Sequence, residues 1–365
     1  MKPNLSSFAA RLGPFFGRDE SLSTPQFAAL ALELFALQFQ HNPAYQKICS
    51  ARQRTPATVT HWTQIPCVPT SAFKELELTC LSPVERTAVF HSSGTTEQKP
   101  SRHFHNPESL AIYEASLWAA FQRHLRTANP FVSLTPEPAV APRSSLVQMF
   151  ETVRQRVGSG AFFGRVAADG AWTMDFATVI EALKKSAADA RPLTLLGTAF
   201  SFVHLLDFLA EKRLRVELPA GSQVLETGGY KNRSRVLPKP ELHALITRSL
   251  GVGRENIICE YGMSELSSQA YDSAPTLRRQ AGQGSDAPER YFHFPPWARV
   301  QIISPETGRE VAEGETGLIR IFDLANVFSV AAIQTEDLGI RRGDGFELMG
   351  RAQLAEPRGC SLLTA

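Results

Sequence analysis

One stretch of the sequence, FHSSGTTEQKPS at residues 90–101, decides how the fold is interpreted. It follows a short apolar run at residues 87–90 that predicts a strand, so we expect a loop at the carboxyl edge of a sheet. Five consecutive positions supply four hydroxyl groups and a glycine: Ser92, Ser93, Gly94, Thr95 and Thr96. Backbone N–H and hydroxyl groups in such a loop can surround one anion, and the glycine permits its close approach. The pattern indicates phosphate binding, although a solvated Ser/Thr turn has the same composition.

The composition is that of an ordinary globular protein. Of 365 residues, 43% are hydrophobic and 20% are charged, and the formal net charge is +2. We find no run of basic residues dense enough to follow a nucleic-acid backbone. The amino terminus lacks the apolar core of a signal peptide, and no segment approaches the roughly 18 uninterrupted apolar residues of a membrane helix. We therefore expect a cytoplasmic protein with no nucleic-acid partner and no membrane span.

Helical and strand patterns alternate beyond residue 100. Helices are predicted over residues 107–126, 145–157, 176–188, 202–212 and 239–250, and strands near residues 131–132, 193–196, 223–226 and 256–260. Strand, helix, strand at this spacing predicts an α/β fold, with mostly parallel sheets flanked by helices. In such sheets ligands bind beyond the carboxyl ends of the strands, so the residues that follow each strand are candidates for a site.

The rest of the chain predicts three further regions. A buried helix is expected over residues 25–40, followed by a Pro-punctuated, irregular connection at 41–75. From about residue 297, hairpin-like strands predict a small, more antiparallel and β-rich subdomain. We divide the chain into a helical N-terminal region at 1–84 packed on the core, an α/β core at 85–296, the β-rich subdomain at 297–352 and a flexible tail at 353–365.

Two further strand ends carry candidate binding residues. Gly228 and Gly229 follow the strand at 223–226, and paired glycines let a flat ring lie against the backbone. Glu265 lies one turn beyond the strand at 256–260, where a carboxylate can hold Mg²⁺ that bridges phosphate oxygens. Taken singly, the glycines could equally form a plain tight turn, and Glu265 could equally be a carboxylate at a helix N-terminus.

Five cysteines are widely separated: Cys49, Cys67, Cys80, Cys259 and Cys360. Their number is odd and no Cys-x-x-Cys pair occurs, so neither a disulfide framework nor a zinc site is expected. We interpret the first four as buried, small apolar residues. Cys360 differs because it lies in the predicted flexible tail.

The ordered motifs of the chain resemble those of the adenylate-forming superfamily, which includes acyl-CoA ligases and peptide-synthetase adenylation domains. They are SSGTT at 92–96, GG at 228–229, YGMSE at 261–265, DLG at 337–339 and GR at 350–351. A closer resemblance, to bacterial acyl-protein synthetases of the LuxE type, rests on PSRH at 100–103, ETGGYK at 226–231, RSR at 233–235 and RGCSL at 358–362. The resemblance covers about residues 85–365 and implies the fold of the large N-terminal domain of adenylate-forming enzymes.

This resemblance implies ATP-dependent activation of a carboxylic acid, in the LuxE type a fatty acid, to an acyl-adenylate, with ATP and Mg²⁺ as cofactors. By position, Ser92 through Thr96 would hold the ATP phosphates, and Gly228 and Gly229 would lie beside the adenine or the acyl carboxylate. Tyr261 would stack on the base and Glu265 would ligate Mg²⁺. Asp337 and Arg351 would bind the ribose hydroxyls. Three residues of the YGMSE motif would line the same nucleotide site: Gly262, Met263 and Ser264.

The implied chemistry requires a cation at the α-phosphate, because two anions must be brought together there. Lys231 and Arg102 are the candidates, and Lys231 is favoured because it directly follows the glycine pair. Many relatives carry glycine where Glu97 stands, and since a carboxylate beside phosphates is unfavourable, we expect Glu97 to point to solvent. Only residues 352–365 follow Arg351, and the last lysine is Lys239. We therefore expect the C-terminal lid domain of the superfamily, with its catalytic lysine, to be absent.

By the same resemblance Cys360 would accept the acyl group as a thioester, since a flexible tail can reach the acyl-adenylate and then present the thioester elsewhere. A tail thiol without a role is the plain alternative. The leading hypothesis is an ATP-dependent ligase that forms an acyl-protein thioester and serves an acyl-accepting partner such as an acyl reductase, a carrier protein or CoA. The alternatives are a ligase that uses CoA or an acyl carrier protein as an external thiol, and a non-catalytic acyl-binding relative.

Overall fold

The structure is a computed structural model that describes residues 4–17, 22–92, 99–168, 170–229, 234–272 and 290–352. The loop residues from Ser93 to Thr96, together with Glu97, Lys231 and Cys360, lie outside these ranges, so their roles stay predictions. Every other residue of the predicted site lies within them.

Nine α-helices lie within these ranges. They are α1 (Leu5–Phe16), α2 (Thr24–His41), α3 (Pro43–Ala51), α4 (Ala72–Glu75), α5 (Pro107–His124), α6 (Ser145–Val157), α7 (Phe176–Ala188), α8 (Ala199–Glu211) and α9 (Lys239–Leu250). The helices predicted beyond residue 107 are confirmed. For example, α6 begins after the capping side chain of Ser144 and ends at Gly158, whose φ of 77° suits a glycine C-cap. None of the helices in the described ranges combines the length and the apolar character that a bilayer crossing requires.

Fifteen strands lie in the same ranges. They are β1 (Val68–Pro69), β2 (Ala88–His91), β3 (Arg102–His105), β4 (Phe131–Ser133), β5 (Gly160–Phe162), β6 (Gly164–Val166), β7 (Trp172–Met174), β8 (Thr194–Thr198), β9 (Gln223–Thr227), β10 (Ile257–Tyr261), β11 (Ala270–Tyr271), β12 (Ala298–Ile303), β13 (Thr316–Asp323), β14 (Ala332–Arg342) and β15 (Gly345–Arg351). The central sheet has the order β11-β10-β9-β8-β4-β5. Its neighbouring strands are parallel except for the antiparallel pair of β10 and β11, which confirms the predicted α/β core.

Different helices cover the two faces of the central sheet. On the first, Leu225 and Ile258 share an apolar cluster with residues of α5 and α6. On the second, Val224 and Ile257 share a cluster with residues of α7, α8 and α9. We call these the α5/α6 face and the α7–α9 face. Because side chains alternate along a strand, each residue of β9 and β10 belongs to one of them.

A second sheet is formed by the β-rich part of the chain. Strands β12, β13, β14 and β15 pair in antiparallel order, which confirms the predicted antiparallel character. Strand β1, far earlier in the sequence, adds to its edge in parallel, with Val68 opposite Ile333. Helix α2 is tied to the turn between β13 and β14, because Gln38 Nε2 donates to Asn326 O at 2.7 Å. The four-region division of the chain stays a prediction.

Two expectations from the sequence are wrong. The segment 41–75 is not an irregular connection throughout, because helix α3 and strand β1 form within it; α3 begins at a proline after the Asn42 cap. The phosphate-loop candidate also does not leave the edge of the parallel sheet. It connects β2 to β3, which form a separate antiparallel hairpin in which Phe90 lies opposite His103.

Candidate functional site

Glycines follow two adjacent strands at the carboxyl edge of the central sheet: Gly228 and Gly229 follow β9, and Gly262 follows β10. Strands β9 and β10 are parallel, with Thr227 opposite Glu260, so Gly228 and Tyr261 continue from neighbouring positions. Gly228 has a φ of +68°, which disfavours other residues. A Cβ atom added at Gly228 or Gly229 would meet no atom of the described chain within 4 Å. The glycine pair therefore borders open space, as a ligand that approaches the backbone requires.

A chain of serine hydroxyls joins the phosphate-loop candidate to the predicted metal ligand. Ser92 Oγ accepts a hydrogen bond from the backbone N–H of Ser101 at 2.9 Å. Ser101 Oγ shares a hydrogen bond with Ser264 Oγ at 3.3 Å, and Ser264 Oγ donates to Glu265 Oε2 at 3.0 Å. The structure thus brings together residues from the first and third motifs. Ser101 was not assigned a role from the sequence, and its only signal was its position in the PSRH segment.

Glu265 is buried, and its surroundings hold it in place. Its side chain is 4% exposed, and burial raises its pKa even though Ser101 and Ser264 donate hydrogen bonds to it. Asn326 Nδ2 donates to the backbone carbonyl of Glu265 at 2.8 Å. His103 Nδ1 donates to the carbonyl of Ser264 at 2.8 Å, and burial lowers the pKa of His103 to about 4, so this imidazole is neutral. A cation would therefore offset a carboxylate charge that the burial of Glu265 disfavours.

Three predicted nucleotide-binding residues also meet. Tyr261 donates its hydroxyl to Asp337 Oδ2 at 2.8 Å, across the boundary between the two sheets. Asp337 lies opposite Arg351 in the ladder of β14 and β15, and Arg351 Nε is 4.0 Å from Asp337 Oδ1. The Tyr261 ring is buried, with its centroid 5.2 Å from that of Phe346. The Asp337 carboxylate therefore keeps Oδ1 for a further donor, and the exposed Arg351 side chain lies beside it.

The two remaining candidates within the described ranges, Arg102 and Met263, take no part in the contacts given above. Arg102 Nη1 lies 3.7 Å from Glu77 Oε1, and the Arg102 guanidinium lies over the Phe104 ring at 5.7 Å. Arg102 Nε is buried and finds no hydrogen-bond partner in the described chain. Met263 is partly buried against the core of the β-rich sheet.

The α7–α9 face of the sheet carries a paired polar network. Cys259 donates its thiol proton to Glu226 Oε2 at 2.9 Å, and His243 Nε2 lies 3.4 Å from the same sulfur. Asp272 Oδ1 accepts the backbone N–H of Cys259 at 2.8 Å, and Asp272 Oδ2 accepts Lys239 Nζ at 2.7 Å. Cys259 is buried, as the sequence predicted, but it takes part in a network and is not merely a small apolar residue.

Sequence reasoning missed Glu260, the residue before the YGMSE motif. It is 6% exposed, and burial raises its pKa to about 7, with the Glu226 carboxylate adding to the rise and the Thr227 hydroxyl opposing it. Thr227 donates that hydroxyl to Glu260 Oε2. A signal was present, because Glu260 is a single carboxylate at the end of the apolar run from Ile257 to Cys259.

The chain is similar over most of its length to proteins of one family. Its residues 14–365 match the family model described as acyl-protein synthetase, LuxE. A long-chain-fatty-acid–luciferin-component ligase of Aliivibrio fischeri is 23% identical over 92% of this chain and 87% of its own. The ligase of the same name from Vibrio harveyi is 22% identical over 90% of this chain and 84% of its own.

Solved structures agree on the fold. A 2-hydroxyisobutyryl-CoA ligase in complex with 2-HIB-AMP and CoA superposes with a TM-score of 0.66 and 14% sequence identity, covering 91% of this chain and 69% of that one. At this identity the likeness shows a shared fold and nothing further. Because the family model matches residues 14–365, the chain belongs to the LuxE family of acyl-protein synthetases, as its ordered motifs predicted.

Proposed function

We propose that this chain uses ATP to activate a carboxylic acid, a long-chain fatty acid by likeness to its named relatives, and then transfers the acyl group to Cys360. In the first step the acid's carboxylate oxygen attacks the α-phosphorus and pyrophosphate leaves. In the second, a thiolate attacks the acyl carbon, a thioester forms and AMP leaves. One observation carries this proposal: the hydrogen-bonded chain from Ser92 through Ser101 and Ser264 to Glu265.

The described residues fit a magnesium ion at Glu265. Mg²⁺ in nucleotide enzymes usually takes one or two protein carboxylates, several waters and the phosphates of the substrate. Glu265 offers one buried carboxylate, whose charge burial disfavours and a cation would favour. The hydroxyls of Ser101 and Ser264 would fix its orientation. A magnesium ion held by Glu265 would supply the positive charge that offsets the charge of the phosphates.

The pairing of Tyr261 with Asp337 supports a ribose site. The tyrosine hydroxyl orients one carboxylate oxygen, which leaves Asp337 Oδ1 to accept a ribose hydroxyl. Arg351 lies across the ladder from Asp337 and would contact the same sugar. The adenine or the acyl carboxylate would then lie beside Gly228 and Gly229, where an added Cβ atom would meet no atom of the described residues within 4 Å. We keep the stacking of the base on Tyr261 as part of this proposal.

Our choice between the two candidate cations, Arg102 and Lys231, rests on a carboxylate that lies beside one of them. Arg102 already lies near the Glu77 carboxylate, which would oppose its use at the α-phosphate. We therefore favour Lys231, which continues from the glycine pair in sequence. An acyl-accepting partner (an acyl reductase, a carrier protein or CoA) and a cytoplasmic location complete the proposal.

Intact-mass spectrometry after incubation with ATP, Mg²⁺ and fatty acids tests the second step. We expect an acyl adduct that hydroxylamine removes, and we expect Cys360→Ala to lose the adduct while it retains ATP–pyrophosphate exchange. Cys80→Ala, at a partly buried thiol, is the matched control and should be acylated like the wild type. An adduct that persists in Cys360→Ala, or AMP release that depends on added CoA or carrier protein, would show that another thiol is the acceptor.

A further inference from the structure

The α5/α6 face of the central sheet changes from apolar to polar at its carboxyl edge. Its apolar layer pairs Leu225 with Ile258 across β9 and β10. Two residues further along the same strands, and therefore on the same face, Thr227 pairs with Glu260. On the antiparallel strand β11, Tyr271 lies directly opposite Glu260. The edge of this face is thus a polar layer, although all three of its side chains are buried.

This polar layer contains groups whose hydrogen-bonding capacity is unused. Among the described residues, two buried atoms there have no partner: Gln269 Oε1 and Tyr271 Oη. Glu260 Oε2 accepts from Thr227, and Glu260 Oε1 accepts from no residue that the structure describes. Buried polar groups in proteins are nearly always paired, so several unpaired ones in one place call for a bound group that pairs with them.

These groups border one another. A Cβ atom added at Gly262 would lie 2.3 Å from Glu260 Oε1 and 3.3 Å from Gln269 Cγ, so both side chains reach the same glycine. Burial first, and the Glu260 carboxylate second, raise the pKa of Tyr271 and of Tyr113, as expected for three neighbouring groups.

We propose that this layer is a subsite for a hydroxyl group carried by the acid substrate near its carboxylate, so that the enzyme takes a hydroxylated acid in preference to the unsubstituted one. Thr227 directly precedes Gly228, and Glu260 directly precedes Tyr261, so the layer adjoins the place assigned to the acyl carboxylate. A hydroxyl could donate to Glu260 Oε1 and accept from Tyr271 Oη, which matches the unused donors and acceptors. The naming of the ligand as an acid rests on the proposed function.

Calorimetric binding of three acids without ATP tests the subsite directly. The probes are decanoate, 2-hydroxydecanoate and 3-hydroxydecanoate, applied to the full chain and to Glu260→Leu, Glu260→Gln and Glu226→Gln. We expect the wild type to bind one hydroxy acid at least about tenfold more tightly than decanoate, because a site built for a hydroxyl rejects the analogue that lacks it. Glu260→Leu should bind all three equally. Glu260→Gln, which can still accept a hydrogen bond, should keep the preference.

Glu226→Gln is the matched control, since Glu226 is also buried but lies on the opposite face of the neighbouring strand. It should retain the preference. Equal binding of the three acids by the wild type would overturn the subsite, and that result does not depend on any variant folding. A preference for a hydroxy acid that is undiminished in Glu260→Leu would also overturn it.

Pyrophosphate exchange with the same acids separates this inference from the proposed function. Preferential binding without exchange would support the subsite and contradict acid activation. Exchange with all three acids, together with equal binding, would support acid activation and overturn the subsite.

Discussion

The two faces of strands β9 and β10 differ in whether their buried polar groups have hydrogen-bond partners. On the α7–α9 face, Cys259 donates to Glu226, and Asp272 accepts from Lys239 and from the backbone of Cys259. On the α5/α6 face, one residue further along, Glu260 Oε1 and the Tyr271 hydroxyl have no partner among the described residues. Alternation of side chains places both arrangements on the same strands.

The pKa shifts of the buried carboxyl groups also differ between the two faces. Burial alone would raise the pKa of Asp272, but Lys239 and Arg290 more than offset it, and the net pKa is lowered. Burial raises the pKa of Glu260 to about 7, and no cation among the described residues offsets that rise. A buried polar group that is fully paired stabilises one arrangement of the core, whereas an unpaired one at a strand's carboxyl end is available to a ligand. We therefore infer a structural role for the polar groups of the first face, and the recognition role proposed above for those of the second.

The largest effect should come from breaking the paired face. Asp272→Asn removes the charge that faces Lys239 and Arg290, and it leaves those cations without their partner. We expect the free energy of unfolding to fall by about 3 kcal/mol in urea denaturation. The control is Asp207→Asn, at an exposed ion pair with Arg235, which should cost less than about 1 kcal/mol. Equal effects of the two variants would show that the Asp272 network does not stabilise the core.

The pH dependence of stability should distinguish the two faces next. The pKa of Glu260 is about 7 in the folded state against an ordinary 4.5, so the folded state holds this proton more tightly. Its contribution therefore lowers the free energy of unfolding as pH rises from about 4.5 to about 7, by on the order of 3 kcal/mol. Asp272, whose pKa is lowered, has the opposite sign, because its contribution is lost as pH falls through its folded pKa.

Urea denaturation of wild type and Glu260→Gln across this pH range measures the Glu260 contribution as a difference. We expect the wild type to lose stability relative to the variant as pH rises. A difference between the two proteins that stays constant from pH 4.5 to 7 would contradict the raised pKa of Glu260.

Local patterns made much of this fold predictable, and long-range contacts account for what was missed. Helix α6 was predicted near residues 145–157 and has those bounds, because its Ser144 cap and the glycine after it act locally. The contact of Ser101 with Ser264 joins residues 163 positions apart, and no local pattern encodes it. Glu260 could have been singled out as a carboxylate ending an apolar strand. That Glu260 Oε1 accepts from no described residue depends on neighbours in other elements, which no local pattern brings together.

A smaller effect should follow when Gly262 gains a side chain. In Gly262→Ala the new Cβ would lie 2.3 Å from Glu260 Oε1, so the carboxyl group must move within the polar layer. We expect a loss of about 1–3 kcal/mol in the free energy of unfolding, as for other overpacked sites. Gly229→Ala is the control, because a Cβ there meets nothing within 4 Å. It should keep its stability to within about 0.5 kcal/mol, and its defect should appear in ATP binding instead.

The smallest change in stability should come from the unpaired face itself. Tyr271→Phe removes a buried hydroxyl that has no hydrogen-bond partner among the described residues, and it keeps the ring that stacks on His124 at 4.6 Å. Because the hydroxyl leaves no partner behind, we expect the free energy of unfolding to change by less than about 0.5 kcal/mol, or to rise slightly. The same variant should weaken binding of the preferred hydroxydecanoate while leaving that of decanoate unchanged. A loss of more than about 1 kcal/mol would mean that the hydroxyl is paired in the folded protein, and the contrast between the two faces would then fail at its central residue.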